Sequence, residues 1–182
     1  YDYDLNNIVK NERLWRISKN YSKVKKLIKL DNNSNILDIG CMYGFFLNFL
    51  YKKYKCKVHG LEIESFDLNK KKLFDFKIYN EDFFLFSSKE ENHNKFDLII
   101  LNHTSEHFQN PIKVIEKIRL ILKKDGLCFV TVPNFKSNLS RISKRYWGWL
   151  QPAVHFFHFT PKGLRKIIEK MNFEVNFYSS QG

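Results

Sequence analysis

The chain is poor in the residues that mark several special classes of protein. Its 182 residues include only 7 Gly, 4 Pro and 3 Cys. So little glycine and proline excludes collagen-like and low-complexity chains. The cysteines, Cys41, Cys56 and Cys128, form no Cys-x-x-Cys pair, which indicates reduced thiols in a cytoplasmic protein. Apolar runs such as residues 98–101 have the length of a strand and fall far short of the roughly 18 residues of a membrane span.

Arginine is also scarce, although the net charge is strongly positive. The chain carries a formal charge of +12, from basic residues that are mostly lysine, together with 18 Asn, a mixture typical of AT-rich coding sequence. Arginine is the residue best suited to bidentate recognition of phosphates and bases. The excess charge is diffuse, and only residues 10–29 and 136–145 are locally basic. The composition therefore indicates a weak preference for anionic partners and disfavours nucleic acid as a partner.

The rest of the composition is that of a globular domain. Hydrophobic residues make up 43%, charged residues 27% and aromatic residues 16% of the chain. A chain of this length and composition can bury a full core without disulfides or metals. We expect a single domain over residues 1–182, with a helical segment at 1–30 and an aromatic-rich insertion at 135–160.

Helical and strand-like patterns alternate along the chain. This alternation, with apolar strands, predicts a Rossmann-like, doubly wound α/β fold with a mostly parallel sheet and helices on both faces. The carboxyl ends of parallel strands meet at one rim, where ligands bind. We predict helices at 14–28, 43–54, 66–74, 110–124 and 161–171, strands at 35–39, 57–62, 76–79, 95–101, 127–132 and 173–178, and a polar loop before residue 95.

Two of these helices carry further signals. Asn110–Pro111 and Thr160–Pro161 each place a capping residue before a proline, which predicts the start of a helix. Asp125–Gly126 is expected to end the first of these helices. Its predicted buried face consists of Ile112, Ile115, Ile118, Ile121 and Leu122.

The first strand-to-helix turn contains Gly40 and Gly44, in the sequence LDIGCMYGFF. A glycine turn that enters a helix lets backbone N–H groups approach an anionic group of a ligand. Glu62 ends the next strand 22 residues after Gly40, where an acid can accept hydrogen bonds from two ribose hydroxyls. The G-x-G-x-x-G dinucleotide fingerprint is absent, which disfavours NAD, FAD and an oxidoreductase.

These features resemble the class I S-adenosylmethionine-dependent methyltransferases. Their first motif is D-x-G-x-G-x-G, and Asp38, Gly40 and Gly44 match three of its four fixed positions, with Met42 in place of the middle glycine. Five further segments resemble the ubiquinone-type and related small-molecule methyltransferases, in the same order. They are VHGLEI at 58–63, FDLI at 96–99 with EHFQNP at 106–111, LILKKDGL at 120–127, VPN at 132–134 and HFFHFTP at 155–161.

The resemblance implies S-adenosylmethionine as cofactor and a set of residues that bind it. In the family, the acid at Asp38 lies near the methionyl amine, the acid at Glu62 binds the ribose, and the acid at Asp82 lies near the adenine. Simpler interpretations exist: Asp38 could cap the turn, and Glu62 could be a solvated acid. For Asp82, a role in cofactor binding and a purely structural role both stay open. The predicted cofactor-binding residues are Asp38, Gly40, Cys41, Met42, Gly44, Glu62, Ile63, Asp82, Phe83 and Asn102.

Three histidines are candidate catalytic residues, because methyl transfer to oxygen or nitrogen can use a base near neutral pH. His103 and His107 follow the fourth predicted strand, on the ligand-binding rim, and His155 lies near the predicted substrate pocket. His107, beside Glu106, is equally suited to organising that loop. His155 and His158 have the spacing of metal ligands, but no cysteine or acid cluster accompanies them, so we expect no metal.

The sequence thus predicts a methyltransferase that acts on a small molecule, such as an anionic sugar, quinone or lipid-linked precursor. Alternatives are an RNA methyltransferase and a non-catalytic methyltransferase-like binding domain, the latter suggested by Met42. Residues 145–152, RYWGWLQP, are expected to form a substrate pocket or lid; plugging of the core and docking to a membrane surface are the alternatives. Family domains add a final antiparallel strand, which we expect this chain to lack.

Overall fold

The computed structural model describes residues 22, 24–63 and 76–175, and these contain a five-stranded parallel sheet. The strand order is β3-β2-β1-β4-β5, so β1 lies at the centre. The chain first adds β2 and β3 on one side of β1 and then adds β4 and β5 on its other side. The doubly wound α/β fold is confirmed. The strands are β1 Asn35–Ile39, β2 Lys57–Glu62, β3 Lys77–Asn80, β4 Phe96–Asn102 and β5 Leu122–Thr131, and the helices are α1 Phe45–Tyr54, α2 Phe83–Ser88, α3 Pro111–Ile121, α4 Asn138–Ser143 and α5 Pro161–Lys170.

Some predicted elements can be compared only in part or not at all. The helix at 66–74 lies outside the described residues. Of the helix at 14–28, residues 22 and 24–28 are described: residues 22 and 24 are helical, whereas 25–28 form a turn and a loop, so this helix ends earlier than predicted. Of the strand at 173–178, only residues 173–175 are described, and these are not in a strand. No helix in the described ranges has the length and hydropathy needed to cross a bilayer.

Alternate residues of the central strands enter two separate cores, one on each face of the sheet. On one face, Ile36 and Leu98 pack with Leu47 and Leu50 of α1. On the other face, Leu37 and its neighbours pack with residues of α2 and α3, while side chains of α5 pack against that cluster. Strands that are buried on both faces are largely apolar, which explains the apolar character of β1 and β4 apart from Asp38 and Asp97 near their ends.

The cap-plus-proline signals place two helix starts as predicted. The Asn110 side chain accepts a hydrogen bond from Lys113 N (3.1 Å) at the start of α3, and Thr160 Oγ1 accepts one from Gly163 N (3.1 Å) at the start of α5. In both helices the first residue is proline, which has no N–H to leave unsatisfied.

The predicted end of α3 is wrong. We expected Asp125–Gly126 to stop the helix before a strand at 127–132, but α3 ends at Ile121 and β5 begins at Leu122. The pairing of β5 with β4 is interrupted there, because Phe96 pairs with Leu122 whereas Leu98 already pairs with Leu127. Lys123 Nζ, within the interruption, contacts both carboxylate oxygens of Asp97 at 2.8 and 2.9 Å. The polar turn is thus accommodated as a bulge inside the strand.

The buried side of α3 also differs from the prediction. Ile112 is exposed, and Val114 is buried together with Ile115 and Ile118. Capping by Asn110 fixes where the helix begins, and this start directs Ile112 away from the sheet.

The loop predicted before residue 95 is wrong in part, because it contains α2. Asp82 Oδ1 accepts hydrogen bonds from Phe84 N (2.8 Å) and Leu85 N (3.2 Å), which caps the helix. Phe83 and Phe86 are buried in the core. A helix of only six residues shows little periodicity in sequence, so its cap and its burial determine it.

The close approach of β2 to the turn after β1 gives a stability test. A Cβ placed on Gly60 would lie 2.7 Å from Cys41 Sγ and 3.0 Å from Ile78 Cγ1. We expect Gly60→Ala to lower the free energy of unfolding by about 1–3 kcal/mol, because the site is already filled. The Cys41→Ala exchange, measured alone and in the Gly60→Ala background by urea denaturation, should reduce that loss. Additive effects of the two substitutions would contradict this contact.

Candidate active site

A cavity of about 1310 Å³ opens at the carboxyl ends of the strands. Its lining comes mainly from the loops that follow β1, β2 and β4, together with the start of α2 and two aromatic residues, Trp149 and Phe156. Gly44 and His155 are the predicted site residues that do not line it. The predicted residues that do are Asp38, Gly40, Cys41, Met42, Glu62, Ile63, Asp82, Phe83, Asn102, His103 and His107.

The turn after β1 runs through three residues with a left-handed backbone, Gly40, Met42 and Gly44, whose φ angles are 72°, 50° and 71°. Gly40 N donates a hydrogen bond to Leu61 O (2.8 Å), which ties the turn to the end of β2. The left-handed region is open to glycine and costs other residues about 1 kcal/mol. The geometry therefore explains why glycines stand at 40 and 44.

Met42 occupies the third left-handed position. Its side chain is 43% exposed and lines the cavity, and its backbone N–H donates to Glu62 Oε2 at 2.9 Å. The loop thus keeps its conformation with methionine at the position where the family motif has glycine, and the side chain occupies part of the cavity wall.

The carboxylate of Glu62 organises the rim between β1 and β2. Besides its bond from Met42 N, it accepts a hydrogen bond from Ile63 N at Oε1 (3.0 Å). Asn80, at the end of β3, donates from Nδ2 to the carbonyl oxygens of Glu62 and Ile63, both at 3.1 Å. A carboxylate oxygen has two lone pairs and can accept more than one hydrogen bond. Glu62 can therefore support the loop and also accept hydroxyl hydrogen bonds from a ligand.

Asp38 is buried at the end of β1, beside Glu62. Burial, and then the negative charge of Glu62, raises the pKa of Asp38 to about 8. A buried acid that is opposed by a second acid creates a demand for positive charge. This end of the cavity therefore favours a cationic ligand group.

Sequence reasoning missed Thr104, which fixes the glycine turn from the other side. Thr104 Oγ1 donates a hydrogen bond to Ile39 O (2.9 Å). A Cβ on Gly40 would lie only 2.6 Å from Thr104 Oγ1. Thr104 follows β4 without any motif, so nothing in the sequence marks it; the topology brings β4 beside β1.

Asp82 and Asn102 line the cavity but also have structural partners. Asp82 caps α2, as described above, and Asn102 Oδ1 accepts a hydrogen bond from Thr131 Oγ1 (2.6 Å). These contacts give both residues a structural role. Their role in binding a cofactor stays a prediction.

The three candidate histidines lie around a buried carboxylate, Glu106. His103 Nδ1 is 3.5 Å from Glu106 Oε1, and the rings of His107 and His155 have centroids 4.8 Å apart. Glu106 is almost fully buried, and neither of its carboxylate oxygens has a hydrogen-bond partner. A buried carboxylate without hydrogen bonds is costly, which is typical of functional sites.

Hydrogen bonds to carbonyl oxygens set the tautomers of two of these rings. His107 Nδ1 lies 2.9 Å from Val154 O, and His155 Nδ1 lies 2.9 Å from Trp149 O. A carbonyl oxygen only accepts, so each Nδ1 carries a hydrogen, and in the neutral ring the lone pair is on Nε2. Both rings can therefore accept a proton at Nε2, or bind a cation there.

Among the described residues, Glu106, His107 and His155 each offer a ligand atom within 4.8 Å of the others. Two imidazoles and one carboxylate are a donor set that suits zinc and related divalent metals. The absence of a metal stays a prediction. One acid, Glu106, does lie beside His155, but the second histidine of this group is His107 and not His158. The sequence separates Glu106 from His155, and only the fold brings them together.

An aromatic wall forms the far side of the cavity. The indole of Trp149 stacks on the His103 ring, with centroids 4.8 Å apart and an interplanar angle of 11°. Residues 145–152 thus do reach the cavity through Trp149, whereas Trp147 in the same stretch is buried. Phe156, which the sequence did not single out, lines the cavity as well.

Comparison with known proteins places this geometry in a family. A family model described as a methyltransferase domain matches residues 12–176. A curated relative, the ubiquinone biosynthesis O-methyltransferase of Glaesserella parasuis serovar 5 (strain SH0165), is 33% identical over 69 residues. That match covers 38% of this chain and 27% of the relative, so it spans about a quarter of the relative's length.

Solved structures share the fold at low identity. A SAM-dependent methyltransferase from Archaeoglobus fulgidus superimposes with a TM-score of 0.70 and 20% identity, covering 89% of this chain and 69% of that one. The phosphoethanolamine N-methyltransferase 2 of Haemonchus contortus, in complex with S-adenosyl-L-methionine, gives a TM-score of 0.64 and 17% identity, covering 86% and 36%.

The buried acid at the end of β1 predicts how stability depends on pH. Between about pH 4 and pH 8, Asp38 is protonated in the folded, ligand-free protein and ionised in the unfolded chain, so the free energy of unfolding falls as pH rises. Asp38→Asn should make that slope less negative by about 1.4 kcal/mol per pH unit. Urea denaturation at intervals from pH 5 to pH 7.5 measures it. Parallel curves for the two proteins would contradict the raised pKa.

Proposed function

The chain belongs to the methyltransferase domain family, and from that premise we propose that it transfers a methyl group from S-adenosylmethionine to a small-molecule acceptor. The observation that carries the proposal is one cavity with two chemically different ends. The glycine turn and two acids form one end, and histidines with an aromatic wall form the other. A cofactor at the first end and an acceptor at the second would meet inside a single cavity.

The first end fits the charge and hydroxyl groups of S-adenosylmethionine. Glu62 supplies negative charge for a sulfonium and an ammonium group. Burial raises the pKa of Asp38 to about 8, and a bound cation would lower that pKa, so that Asp38 ionises in the complex. Glu62 would accept hydrogen bonds from the ribose hydroxyls, and Gly40 lines the cavity beside it. We assign the start of α2, with Asp82 and Phe83, to the adenine, and Ile63 to its apolar face.

The protein's task in this reaction is mainly to bind and to orient. When bound, S-adenosylmethionine supplies a methyl group on an activated sulfonium, so no covalent intermediate with the protein is required. Trp149 and Phe156 line the acceptor end and would shield a bound acceptor from water. Correct orientation of two bound groups can by itself lower the barrier by several kcal/mol.

His103 and His107, which line the cavity, would receive the proton that a hydroxyl acceptor loses, and His155 and Glu106 contact these two rings. The Nε2 lone pairs of His107 and His155 follow from their bonds to carbonyl oxygens, and a positioned base contributes roughly 100-fold or more to such reactions. Lys113, Glu116 and Lys117 of α3 also line the cavity, and the net positive charge of these three residues supports an anionic acceptor. The curated relative's name, an O-methyltransferase of ubiquinone biosynthesis, is in keeping with an oxygen acceptor.

Replacement of the ribose-binding acid tests the cofactor site. We expect Glu62→Gln to weaken binding of S-adenosylmethionine and of its demethylated product at least tenfold, because a charge-assisted hydrogen bond is lost. Isothermal titration calorimetry measures both ligands. Glu174→Gln, at an exposed position away from the cavity, is the matched control and should bind like the wild type. Absence of binding to the unaltered chain would exclude a methyltransferase activity for it.

Replacement of the buried carboxylate tests the acceptor end. We expect Glu106→Gln to lower the rate of methyl transfer about 100-fold, with the affinity for S-adenosylmethionine changed less than threefold. Radiolabelled methyl transfer to a panel of small phenols and catechols gives the rate, and calorimetry gives the affinity. Glu169→Gln, on the exposed surface of α5, is the control. Cofactor binding without transfer to any acceptor would instead favour a non-catalytic binding domain, and transfer to RNA would favour an RNA methyltransferase.

The same assay distinguishes a base from a metal at this cluster. If the histidines act without a metal, dialysis against EDTA leaves the rate of transfer unchanged. Loss of activity that Zn²⁺ or Mn²⁺ restores would assign Glu106, His107 and His155 to metal binding.

A further inference from the structure

One long stretch of the chain carries positive charge without any negative charge. Residues 126–168 contain no Asp or Glu, and this is the longest stretch without an acid in the sequence. Its basic residues are Lys136, Arg141, Lys144, Arg145, Lys162, Arg165 and Lys166. A shorter basic stretch without acids, residues 13–30, lies near the start of the chain.

Within the stretch 126–168, α4 has the reverse of the usual amphipathic arrangement. Ser140 is buried, where its hydroxyl donates to Phe135 O, and Ser137 Oγ caps the helix by accepting from Ser140 N (3.0 Å). Leu139 and Ile142, three residues apart and thus on one side of the helix, are 61% and 78% exposed. A surface helix whose outer side faces only water usually turns its aliphatic side chains toward the core and its serines toward the solvent.

Cationic and amphipathic side chains accompany the exposed aliphatic ones. Arg141 and Lys144 are exposed beside Ile142. Tyr146, in the short turn that follows, is 76% exposed, and the Arg145 guanidinium lies over its ring, 4.8 Å from the centroid. Tyrosine and arginine each combine an apolar body with a polar end, which suits the boundary between lipid and water.

We propose that this surface, Leu139, Arg141, Ile142, Lys144, Arg145 and Tyr146, docks on an anionic lipid bilayer. Charge complementarity determines the choice of partner: cations attract anionic headgroups while the aliphatic side chains enter the boundary of the acyl chains. No acid is present in the surrounding sequence to repel those headgroups.

The location of the surface relates it to the cavity. Buried Trp147 packs against Phe135, with centroids 5.9 Å apart, and two residues later Trp149 lines the cavity. Docking would therefore bring the acceptor end of the cavity close to the bilayer. This consequence rests on the proposed function: the acceptor would be an amphipathic molecule held in the membrane, with its methylated group at the level of the headgroups.

Co-sedimentation of the whole chain with lipid vesicles tests the docking. We expect at least tenfold stronger partitioning to vesicles of 70% phosphatidylcholine and 30% phosphatidylglycerol than to pure phosphatidylcholine, and a large decrease in 0.5 M NaCl. Leu139→Ser/Ile142→Ser and Arg141→Ser/Lys144→Ser should each lower partitioning to the anionic vesicles about tenfold or more.

Two control variants match these changes elsewhere. Leu85→Ser removes an aliphatic side chain that is 64% exposed on α2, near Glu81 and Asp82, and Lys52→Ser/Lys53→Ser removes two positive charges from the last turn of α1. Both should partition within twofold of the wild type. Circular dichroism verifies that all variants are folded.

The docking and the enzymatic proposal fail in different measurements. Equal sedimentation of the wild type with and without anionic vesicles would overturn the docking and leave an acidic protein as the partner for this surface. Wild-type partitioning by both surface variants would overturn it too. The same samples are titrated with S-adenosylmethionine. If the protein partitions to anionic vesicles but does not bind S-adenosylmethionine, the proposed function fails and the docking stands.

Discussion

The site depends on the conformation of five residues after β1, where the chain must turn in a narrow space. Thr104 approaches from β4, Leu61 accepts the first N–H of the turn, and Glu62 binds the N–H of Met42. Three of the five residues adopt a left-handed backbone, which lets the turn fit between these neighbours. Once the turn is fixed, the start of α1 and the adjoining cavity wall are fixed as well.

This turn is held partly by groups that are themselves unfavourable in the ligand-free protein. Asp38 and Glu62 bring two acids together near a buried position, and Glu106 lies buried without hydrogen bonds at the other end of the cavity. Neither arrangement adds stability. The apolar cores on both faces of the sheet offset these costs, so the cavity can hold charge in positions that a ligand, and not the fold, makes favourable.

The fold was largely predictable because its signals are local. The apolar runs of β1 and β4, the acid at the end of β2, and the two cap-plus-proline starts can each be recognised in a few adjacent residues. The misplaced boundary at 122–126 depends on Lys123 meeting Asp97 of another strand, and α2 depends on burial of its phenylalanines. Both are decided by tertiary contacts that no short window of sequence contains.

The site was predictable in the same uneven way. The glycine turn and Glu62 follow motifs, whereas Thr104 and the grouping of Glu106 with His155 arise where loops from separate strands converge. The positive charge illustrates the same point. Averaged over the chain it is a lysine-rich background, but residues 126–168 lack acids entirely, and the fold exposes aliphatic side chains of that stretch. A sequence average conceals this local separation of charge, which is the property that a headgroup surface would recognise.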